Sequence, residues 1–159
     1  MKVRAGLGYD IHRLEKGRKL FLGGIEIPFP KGLRGHSDGD CVIHALIDAL
    51  LGALGEGDIG QLFPDTEPRF KGIRSTELLK EVVRRVKASK VEICNVDAVV
   101  IAEEPHLAPH IPGMKATLSS ILGIEEDSVG IKAKTNEGLG MIGRGEAIAS
   151  WAIALLREK

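Results

Sequence analysis

The chain has 159 residues, 43% of them hydrophobic, which is enough for one domain with its own core over residues 1–159. Its 22 basic side chains balance 22 acidic ones, so no net positive field favours nucleic acid or an anionic membrane. No stretch approaches the roughly 20 apolar residues of a membrane span, and the start lacks the apolar core of a signal peptide. We therefore expect a cytoplasmic protein without nucleic-acid or membrane partners, whose near-zero charge is compatible with self-association.

The first half of the chain is predicted to hold two strands, a loop and a helix. β-branched and apolar residues favour strands at Val3–His12 and Lys19–Ile27. The Gly- and Asp-rich segment Lys31–Asp40 is predicted to be a loop. Asp40 is a suitable N-cap for a helix at Cys41–Leu54, where apolar residues recur at helical spacing.

The middle of the chain is predicted to contain an irregular connection, a second helix and a third strand. The connection is Gly55–Pro68, rich in glycine, proline and acidic residues; a connection of this length is usually functional or mobile. Ser75 is predicted to cap a helix that runs to about Ser89 with one apolar face. The Val and Ile content of Val91–Glu103 favours a strand.

The last third of the chain contains a predicted helix, a short strand and one ambiguous segment. The helix begins at Pro109 or Pro112 and ends near Leu122. Val129–Ala133 is predicted to be a strand, whereas the Ala-rich composition of Glu146–Leu156 by itself favours a helix. This order of elements indicates an α+β fold, with one mostly β layer and three helices packed on a single face. The other face of the sheet then needs cover, which self-association would supply.

Three side chains suggest a metal site. Asp10 and His12 are two residues apart on a predicted strand and therefore share one face, and His44 lies on the first predicted helix. Two imidazoles and a carboxylate with an open fourth position are typical of catalytic zinc. The spacing leaves a second interpretation open, in which His44 is a hydrogen-bonded core histidine and Asp10 serves a turn. The two cysteines, Cys41 and Cys94, lack metal-binding spacing and are predicted to be reduced, mostly buried thiols.

Five short motifs occur along the chain in a defined order and spacing. They are Gly-x-Gly-Tyr-Asp-Ile-His from Gly6, His-Ser-Asp-Gly-Asp-x-x-x-His from His36, Asp-Ile-Gly from Asp58, Phe-Pro-Asp-Thr from Phe63 and Gly-Arg-Gly-Glu from Gly143. Each is weak alone, but together they resemble the 2-C-methyl-D-erythritol 2,4-cyclodiphosphate synthase family of the non-mevalonate isoprenoid pathway. The resemblance extends over essentially the whole chain.

The resemblance implies two metal ions. Asp10, His12 and His44 match the family's zinc ligands, with the fourth position left to a substrate phosphate oxygen. Glu137 matches the ligand of a second divalent cation, Mg²⁺ or Mn²⁺, that bridges the α- and β-phosphates. His36 and Thr135 match residues with catalytic roles at the phosphates.

The resemblance also implies the substrate contacts of four segments. His36-Ser37 matches a phosphate-binding pair, Asp58–Gly60 the ribose-binding segment, Phe63–Glu67 the segment around the methylerythritol phosphate, and Ala102–Ala108 the cytosine pocket. The full set of implied substrate-binding residues is Asp10, His12, His36, Ser37, Asp58, Ile59, Gly60, Phe63, Pro64, Asp65, Thr66, Glu67, Ala102, Glu103, Glu104, Pro105, His106, Leu107, Ala108, Lys134, Thr135, Asn136, Glu137, Met141 and Arg144.

Some residues depart from the family pattern or keep two interpretations. His106 stands where the family often has lysine, Lys134 and Asn136 where hydroxyl side chains are common, and Met141 where an aromatic residue is frequent. Lys134 either adds positive charge near a phosphate or is simply solvated. Asp48, four residues after His44, either orients a ligand imidazole or acts as an exposed or capping acid.

The resemblance further implies an assembly and a reaction. The family forms a homotrimer with active sites between neighbouring subunits, and it makes Glu146–Leu156 a strand. Arg144 and Met141 match the lining of the trimer's central cavity, which has been associated with isoprenoid diphosphates. The implied reaction is intramolecular phosphoryl transfer that converts 4-diphosphocytidyl-2-C-methyl-D-erythritol 2-phosphate to the 2,4-cyclodiphosphate and CMP.

Two other functions remain open at this point. A zinc hydrolase would use the same ligands to activate water against a nucleotide diphosphate. A trimeric binding module would use the central cavity and Arg144 without catalysis, but it leaves the set of Asp10, His12 and His44 unexplained.

Overall fold

The computed structural model describes residues 2–159 and shows an α+β fold. Three longer helices and a five-stranded sheet form most of it, and short 3-10 turns connect several elements. The elements in chain order are β1 (Val3–Lys16), β2 (Leu20–Leu22), β3 (Ile25–Ile27), β4 (Lys31–Leu33), α1 (Cys41–Leu54), α2 (Ile59–Leu62), α3 (Ser75–Ala88), β5 (Val91–Ile101), α4 (Ile111–Leu122), β6 (Val129–Lys134), α5 (Gly140–Gly143) and β7 (Ala147–Glu158). Within residues 2–159, no helix is long and apolar enough to cross a bilayer.

The main sheet has the strand order β4-β1-β7-β5-β6, and only the β5–β6 pair is parallel. Strand β7 lies at its centre, hydrogen-bonded to β1 on one side and β5 on the other. The strand implied by the resemblance for Glu146–Leu156 is therefore confirmed, against the helical preference of its alanines. Pairing on both edges overrides local propensity, and small buried residues such as Ala152 and Ala154 let helices approach the sheet closely.

The predicted strand at Lys19–Ile27 is wrong as one element. It is a hairpin of β2 and β3, turned by Gly23 and Gly24. Both glycines have positive φ, 60° and 84°, which a two-residue hairpin loop of type I′ requires and which side chains disfavour. The Gly-Gly pair is the signal for this turn.

Two predictions for connecting segments are wrong in part. The predicted loop Lys31–Asp40 begins with β4, which pairs with the end of β1 at Leu14–Lys16. The irregular connection Gly55–Pro68 contains α2, whose N-cap is Asp58. Both elements are only three or four residues long, too short for a hydrophobic period to reveal them.

Helix α1 lies directly on β1, because two glycines allow close contact. A Cβ atom built on Gly6 would lie 1.8 Å from the carbonyl oxygen of Ala49, and one on Gly8 would lie 1.8 Å from that of Ala45. The predicted N-cap of this helix is confirmed, since Asp40 accepts a hydrogen bond from the backbone N–H of Ile43. The glycines and the cap together set how α1 lies across the first half of β1.

The three longer helices pack on one face of the sheet, as predicted. Helix α1 contacts β1 and β7, α3 contacts α1 and β5, and α4 contacts α3 and β6. The opposite face, which we call the open face, carries the large exposed apolar side chains Val3, Leu7, Tyr9, Trp151 and Ile153. Leu7 is 60% exposed, and the rings of Tyr9 and Trp151 are in contact, tilted by 48° with centroids 4.5 Å apart. A single chain thus leaves a contiguous apolar surface in water.

Candidate active site

The three predicted metal ligands meet where β1 passes the first turn of α1. The Asp10 Oδ2 atom lies 2.8 Å from His12 Nε2 and 3.1 Å from His44 Nδ1, and the two ring nitrogens are 3.2 Å apart. In a tetrahedral zinc site with ligand bonds of about 2.0–2.1 Å, neighbouring ligand atoms are about 3.3 Å apart. The donor set and its spacing therefore fit a zinc ion.

Each histidine ring is oriented by a hydrogen bond at its other nitrogen, His12 Nδ1 or His44 Nε2. The His12 Nδ1 atom lies 2.7 Å from the Arg34 carbonyl oxygen, which only accepts, so Nδ1 carries the proton and donates it. The His44 Nε2 atom lies 2.8 Å from the Ser75 hydroxyl. If Nε2 donates there, the lone pairs of His12 Nε2 and His44 Nδ1 both point towards the Asp10 carboxylate. Three electron pairs directed at one point are the arrangement that binds a metal cation.

Contacts within this cluster also shift the pKa values of Asp10 and His12. Burial opposes ionisation of Asp10, but hydrogen bonds from His12 and His44 outweigh it and hold the pKa of Asp10 below its ordinary value. Burial likewise opposes protonation of His12, but the hydrogen bond and charge of Asp10 outweigh it and raise the pKa of His12.

Ser75 and Asp38 adjoin this cluster, and the sequence did not indicate that either would lie beside His44. The prediction that Ser75 caps α3 is wrong, because Ser75 is the first residue of the helix and Arg74 occupies the N-cap position without a side-chain bond. The Asp38 carboxylate satisfies the helix end instead, accepting from the Ser75 backbone N–H at 3.0 Å. This leaves the Ser75 hydroxyl directed towards His44. Asp38 and Ser75 are 37 residues apart in the chain, so no local pattern could reveal their hydrogen bonds.

A cavity of about 220 Å³ opens above the three ligands. It brings together many residues of the predicted phosphate, ribose and methylerythritol segments. Its lining residues are Asp10, His12, His36, Ser37, His44, Ile59, Gly60, Phe63, Asp65, Phe70, Ile73 and Leu78. Among the predicted residues, Asp58, Pro64, Thr66 and Glu67 lie next to the cavity in the chain and do not line it. Asp58 is exposed, and its carboxylate caps α2 by accepting from Gln61.

Asp48 anchors the rim of this cavity. Its Oδ1 atom accepts from the backbone N–H of Ile59 at 2.8 Å, which ties α2 to α1. Burial raises the pKa of Asp48. Of the two interpretations of Asp48, the structure supports the capping acid, although the side chain is half-buried rather than exposed. Its carboxylate therefore positions Ile59 and Gly60 and does not contact an imidazole.

A second cavity, of about 200 Å³, is lined by most of the segment Ala102–Ala108, for which a cytosine-binding role is predicted. Its lining residues are Ala102, Glu103, Pro105, His106, Leu107, Ala108, Ala133, Lys134 and Thr135. No lining residue is shared with the first cavity. Glu104, Asn136 and Glu137 adjoin this cavity in the chain without lining it.

The segment after β6 is held in shape by Glu103. The Glu103 Oε1 atom accepts from the backbone N–H of Asn136 at 2.7 Å and of Gly138 at 3.3 Å. Between them, Glu137 has a φ of 53°, a left-handed conformation that is uncommon for a residue other than glycine. The anchored backbone presents the side chains of Thr135 and Glu137 at the end of the parallel pair of strands.

Met141 and Arg144, the residues predicted to line a central cavity, line neither of these two cavities. Met141 is 51% exposed, and Arg144 donates to Glu146 at 2.7 Å. Together with Ile11, His12 and Arg13, Met141 and Glu146 line a small surface cavity of about 150 Å³.

Comparison with known proteins identifies relatives along the full chain. The YgbB family profile matches residues 3–157. The 2-C-methyl-D-erythritol 2,4-cyclodiphosphate synthase of Ralstonia pickettii is 54% identical over 156 residues, which cover 98% of this chain and 93% of that protein.

Solved structures show the same fold. A CDP-bound 2C-methyl-D-erythritol-2,4-cyclodiphosphate synthase is 44% identical, with a TM-score of 0.90 over 97% of this chain and 100% of that one. The bifunctional IspDF of Campylobacter jejuni is 39% identical with a TM-score of 0.95; the match covers 99% of this chain and 43% of that longer protein. Since the family profile and the relatives match nearly the whole chain, the chain belongs to the YgbB family, that of the 2-C-methyl-D-erythritol 2,4-cyclodiphosphate synthases.

Proposed function

We propose that this chain converts 4-diphosphocytidyl-2-C-methyl-D-erythritol 2-phosphate to 2-C-methyl-D-erythritol 2,4-cyclodiphosphate and CMP in non-mevalonate isoprenoid biosynthesis. The observation that carries the proposal is the convergence of Asp10, His12 and His44 at the floor of a cavity, in a chain so similar to these synthases. An oxygen of the substrate's 2-phosphate attacks the β-phosphorus. The bond from that phosphorus to the bridging oxygen breaks, and CMP leaves with the bridging oxygen.

The proposed metal at Asp10, His12 and His44 is zinc. When bound, it supplies a Lewis acid and a template for the phosphate oxygen that takes its open position. The ring of His36 and the hydroxyl of Ser37 line the same cavity, where they can donate hydrogen bonds to crowded phosphate oxygens. The work of these side chains is alignment and charge neutralisation.

The reaction needs no protein nucleophile, and Cys41, the thiol in the first turn of α1, is not an activated one. Cys41 is fully buried, and burial raises the pKa of its thiol well above the ordinary value. The thiol therefore remains protonated and unreactive. The attacking group is the substrate's own phosphate, and the cavity-lining residues Phe63 and Asp65, in the segment matched to the methylerythritol phosphate, would help to orient that moiety.

We propose that each active site is completed by a neighbouring subunit. In the sheet, Ile11, Ala149, Ile101 and Lys134 form one row across β1, β7, β5 and β6. Three strand spacings of about 4.8 Å separate the first and last of them, so their backbones lie about 14 Å apart. Alternation places Asp10 on the helix-covered face, opposite to the face of Lys134. The zinc site and the Lys134–Glu137 segment of one chain are thus poorly placed to hold one diphosphate.

A homotrimer would resolve this separation and cover the open face. Side chains such as Leu7, Tyr9 and Trp151 form the kind of apolar surface that marks an interface. Stacking of three sheets would bury it and bring the second cavity of one subunit to the zinc site of the next. The same assembly would bring three copies of Arg144 together, where an isoprenoid diphosphate is the ligand chemistry that we propose for the central cavity.

Replacing Leu7 with glutamate should prevent this assembly, because three like charges would be buried at one apolar interface. We expect the variant to have the mass of a single chain by light scattering and to lose most of its activity. The matched control is Ala88→Glu, which adds the same charge at an exposed position at the end of α3. A Leu7→Glu variant with the parental mass would exclude the open face as the interface.

Replacing Glu137 with glutamine should preserve zinc binding but weaken binding of the second divalent cation, because an amide is a poorer ligand for Mg²⁺ or Mn²⁺ than a carboxylate. Stabilisation of transition-state charge by a metal ion is worth several kcal/mol, so we expect turnover to fall about 100-fold or more. The dependence of activity on Mg²⁺ should shift to higher Mg²⁺ concentration. Glu125→Gln, at an exposed site, is the control. An unchanged Mg²⁺ titration would remove Glu137 from the site.

Product analysis tests the proposed function against its two rivals. The protein is incubated with the cytidyl substrate, zinc and magnesium, and the phosphorus resonances are followed over time. The cyclic diphosphate together with CMP is the expected result. A ring-opened bisphosphate would indicate the zinc hydrolase, and recovery of unchanged substrate would indicate the binding module.

A further inference from the structure

A chain of buried hydrogen bonds leads away from the proposed zinc site. The Nε2 atom of His44 lies 2.8 Å from the hydroxyl of Ser75. That hydroxyl lies 2.5 Å from Oδ1 of Asp38. All three residues are buried: Ser75 is 0% exposed, His44 7% and Asp38 8%.

The direction of these bonds follows from their chemistry. A carboxylate only accepts, so the Ser75 hydroxyl donates to Asp38 and its oxygen keeps lone pairs for His44. The Ser37 hydroxyl also lies near His44 Nε2, at 3.0 Å, but it has no carboxylate to take its proton. Ser75 is therefore the better acceptor, and His44 carries its proton on Nε2. The other nitrogen, Nδ1, is left unprotonated on the side of Asp10 and His12.

Asp38 is itself fixed by several donors. Its Oδ1 atom also accepts from the Asp40 backbone N–H at 3.1 Å, and its Oδ2 atom accepts from the Ser75 backbone N–H at 3.0 Å. The Arg74 Nε atom donates to Oδ2 at 3.2 Å, and its guanidinium lies over the Phe21 ring. The carboxylate thus has little freedom to turn away from Ser75.

We propose that Ser75 and Asp38 are positioning residues that hold the His44 ring in the orientation and tautomer that leave Nδ1 free for metal binding. The inference rests on the proposed metal site and adds to it the groups that orient one ligand. Neither residue contacts the metal; Asp38 acts through Ser75, and Ser75 acts through His44. Partners of this kind typically contribute 10- to 100-fold in metal affinity.

The test compares Ser75→Ala with Ser119→Ala. Both remove a hydroxyl that is buried in a helix, but the Ser119 hydroxyl donates to the Ala116 carbonyl oxygen within its own helix, far from the site in sequence. Zinc affinity is measured by competition with a chelator, and the visible spectrum is recorded with Co²⁺ in place of zinc. For Ser75→Ala, we expect affinity to fall roughly 10- to 100-fold and the Co²⁺ spectrum to change, whereas Ser119→Ala keeps both parental values.

The contribution of Asp38 is tested with Asp38→Asn, alone and combined with Ser75→Ala. Because Asp38 acts through Ser75, the second substitution should cause little further loss of zinc affinity in the Ser75→Ala background. If the fold-losses of zinc affinity in the two single variants multiply in the double variant, the role of Asp38 is overturned. If Ser75→Ala does not fold, Ser75→Thr is used instead. This variant keeps the hydroxyl and should retain the parental zinc affinity and Co²⁺ spectrum. A loss of zinc affinity as large as that of Asp38→Asn would overturn the proposal.

The outcomes separate this inference from the proposed function. A parental protein that binds no zinc would refute the metal site itself. A parental protein that binds zinc, with a folded Ser75→Ala variant of equal affinity and unchanged spectrum, would refute only the positioning role.

Discussion

Replacing His44 with alanine is expected to leave a folded protein without zinc and without measurable cyclisation. Two remaining ligands, Asp10 and His12, would hold the ion poorly. The loss should exceed the roughly 10- to 100-fold effect of removing an outer hydrogen-bond partner, because a metal-bonded atom is itself removed. Alanine suits the interior of α1. Loss of the buried hydrogen bond between His44 and the Ser75 oxygen should cost about 1–3 kcal/mol, against the 5–15 kcal/mol typical of a folded domain.

Metal analysis of the purified variant and thermal unfolding of its metal-free form are the measurements. His110→Ala is the matched control, since this histidine lies at the start of α4, outside both cavities. The control should keep stoichiometric zinc and full activity. Stoichiometric zinc with full activity in His44→Ala would refute the assignment of His44 as a ligand.

Two inactive variants are expected to restore activity when their subunits mix. One is His44→Ala, which lacks the zinc half of the site; the other is Thr135→Ala/Glu137→Ala, which lacks the half around the second cation. If each site lies between neighbouring subunits, a mixed trimer has one interface at which two intact halves meet. Random mixing of equal amounts places an intact zinc half beside an intact partner half at roughly one quarter of all sites.

The measurement is activity after co-expression of the two variants. Separately purified trimers, combined without subunit exchange, are the control and should stay inactive. Mass spectrometry establishes that mixed trimers have formed. Mixed trimers without any activity would show that each site lies within one chain.

The sequence by itself determined the features that follow from periodic spacing or from residues close together in the chain. Alternation along β1 placed Asp10 and His12 on one face, and helical spacing placed His44 in α1. The N-cap at Asp40 could likewise be predicted, because a cap and its helix are adjacent. The resemblance, carried by five motifs, supplied what composition could not, including the central strand β7 and the family.

Tertiary structure decided the contacts between residues that are distant in the chain. The Ser75 hydroxyl was expected to cap α3, but the Asp38 carboxylate does so from 37 residues away and frees the hydroxyl for His44. Glu103 fixes the backbone on both sides of Glu137 in the same manner. Strand β7 has the composition of a helix and becomes a strand because it is paired on both edges. Hydrogen bonds made after folding outweigh local preferences of a fraction of a kcal/mol per residue, and only the assembled fold shows where they form.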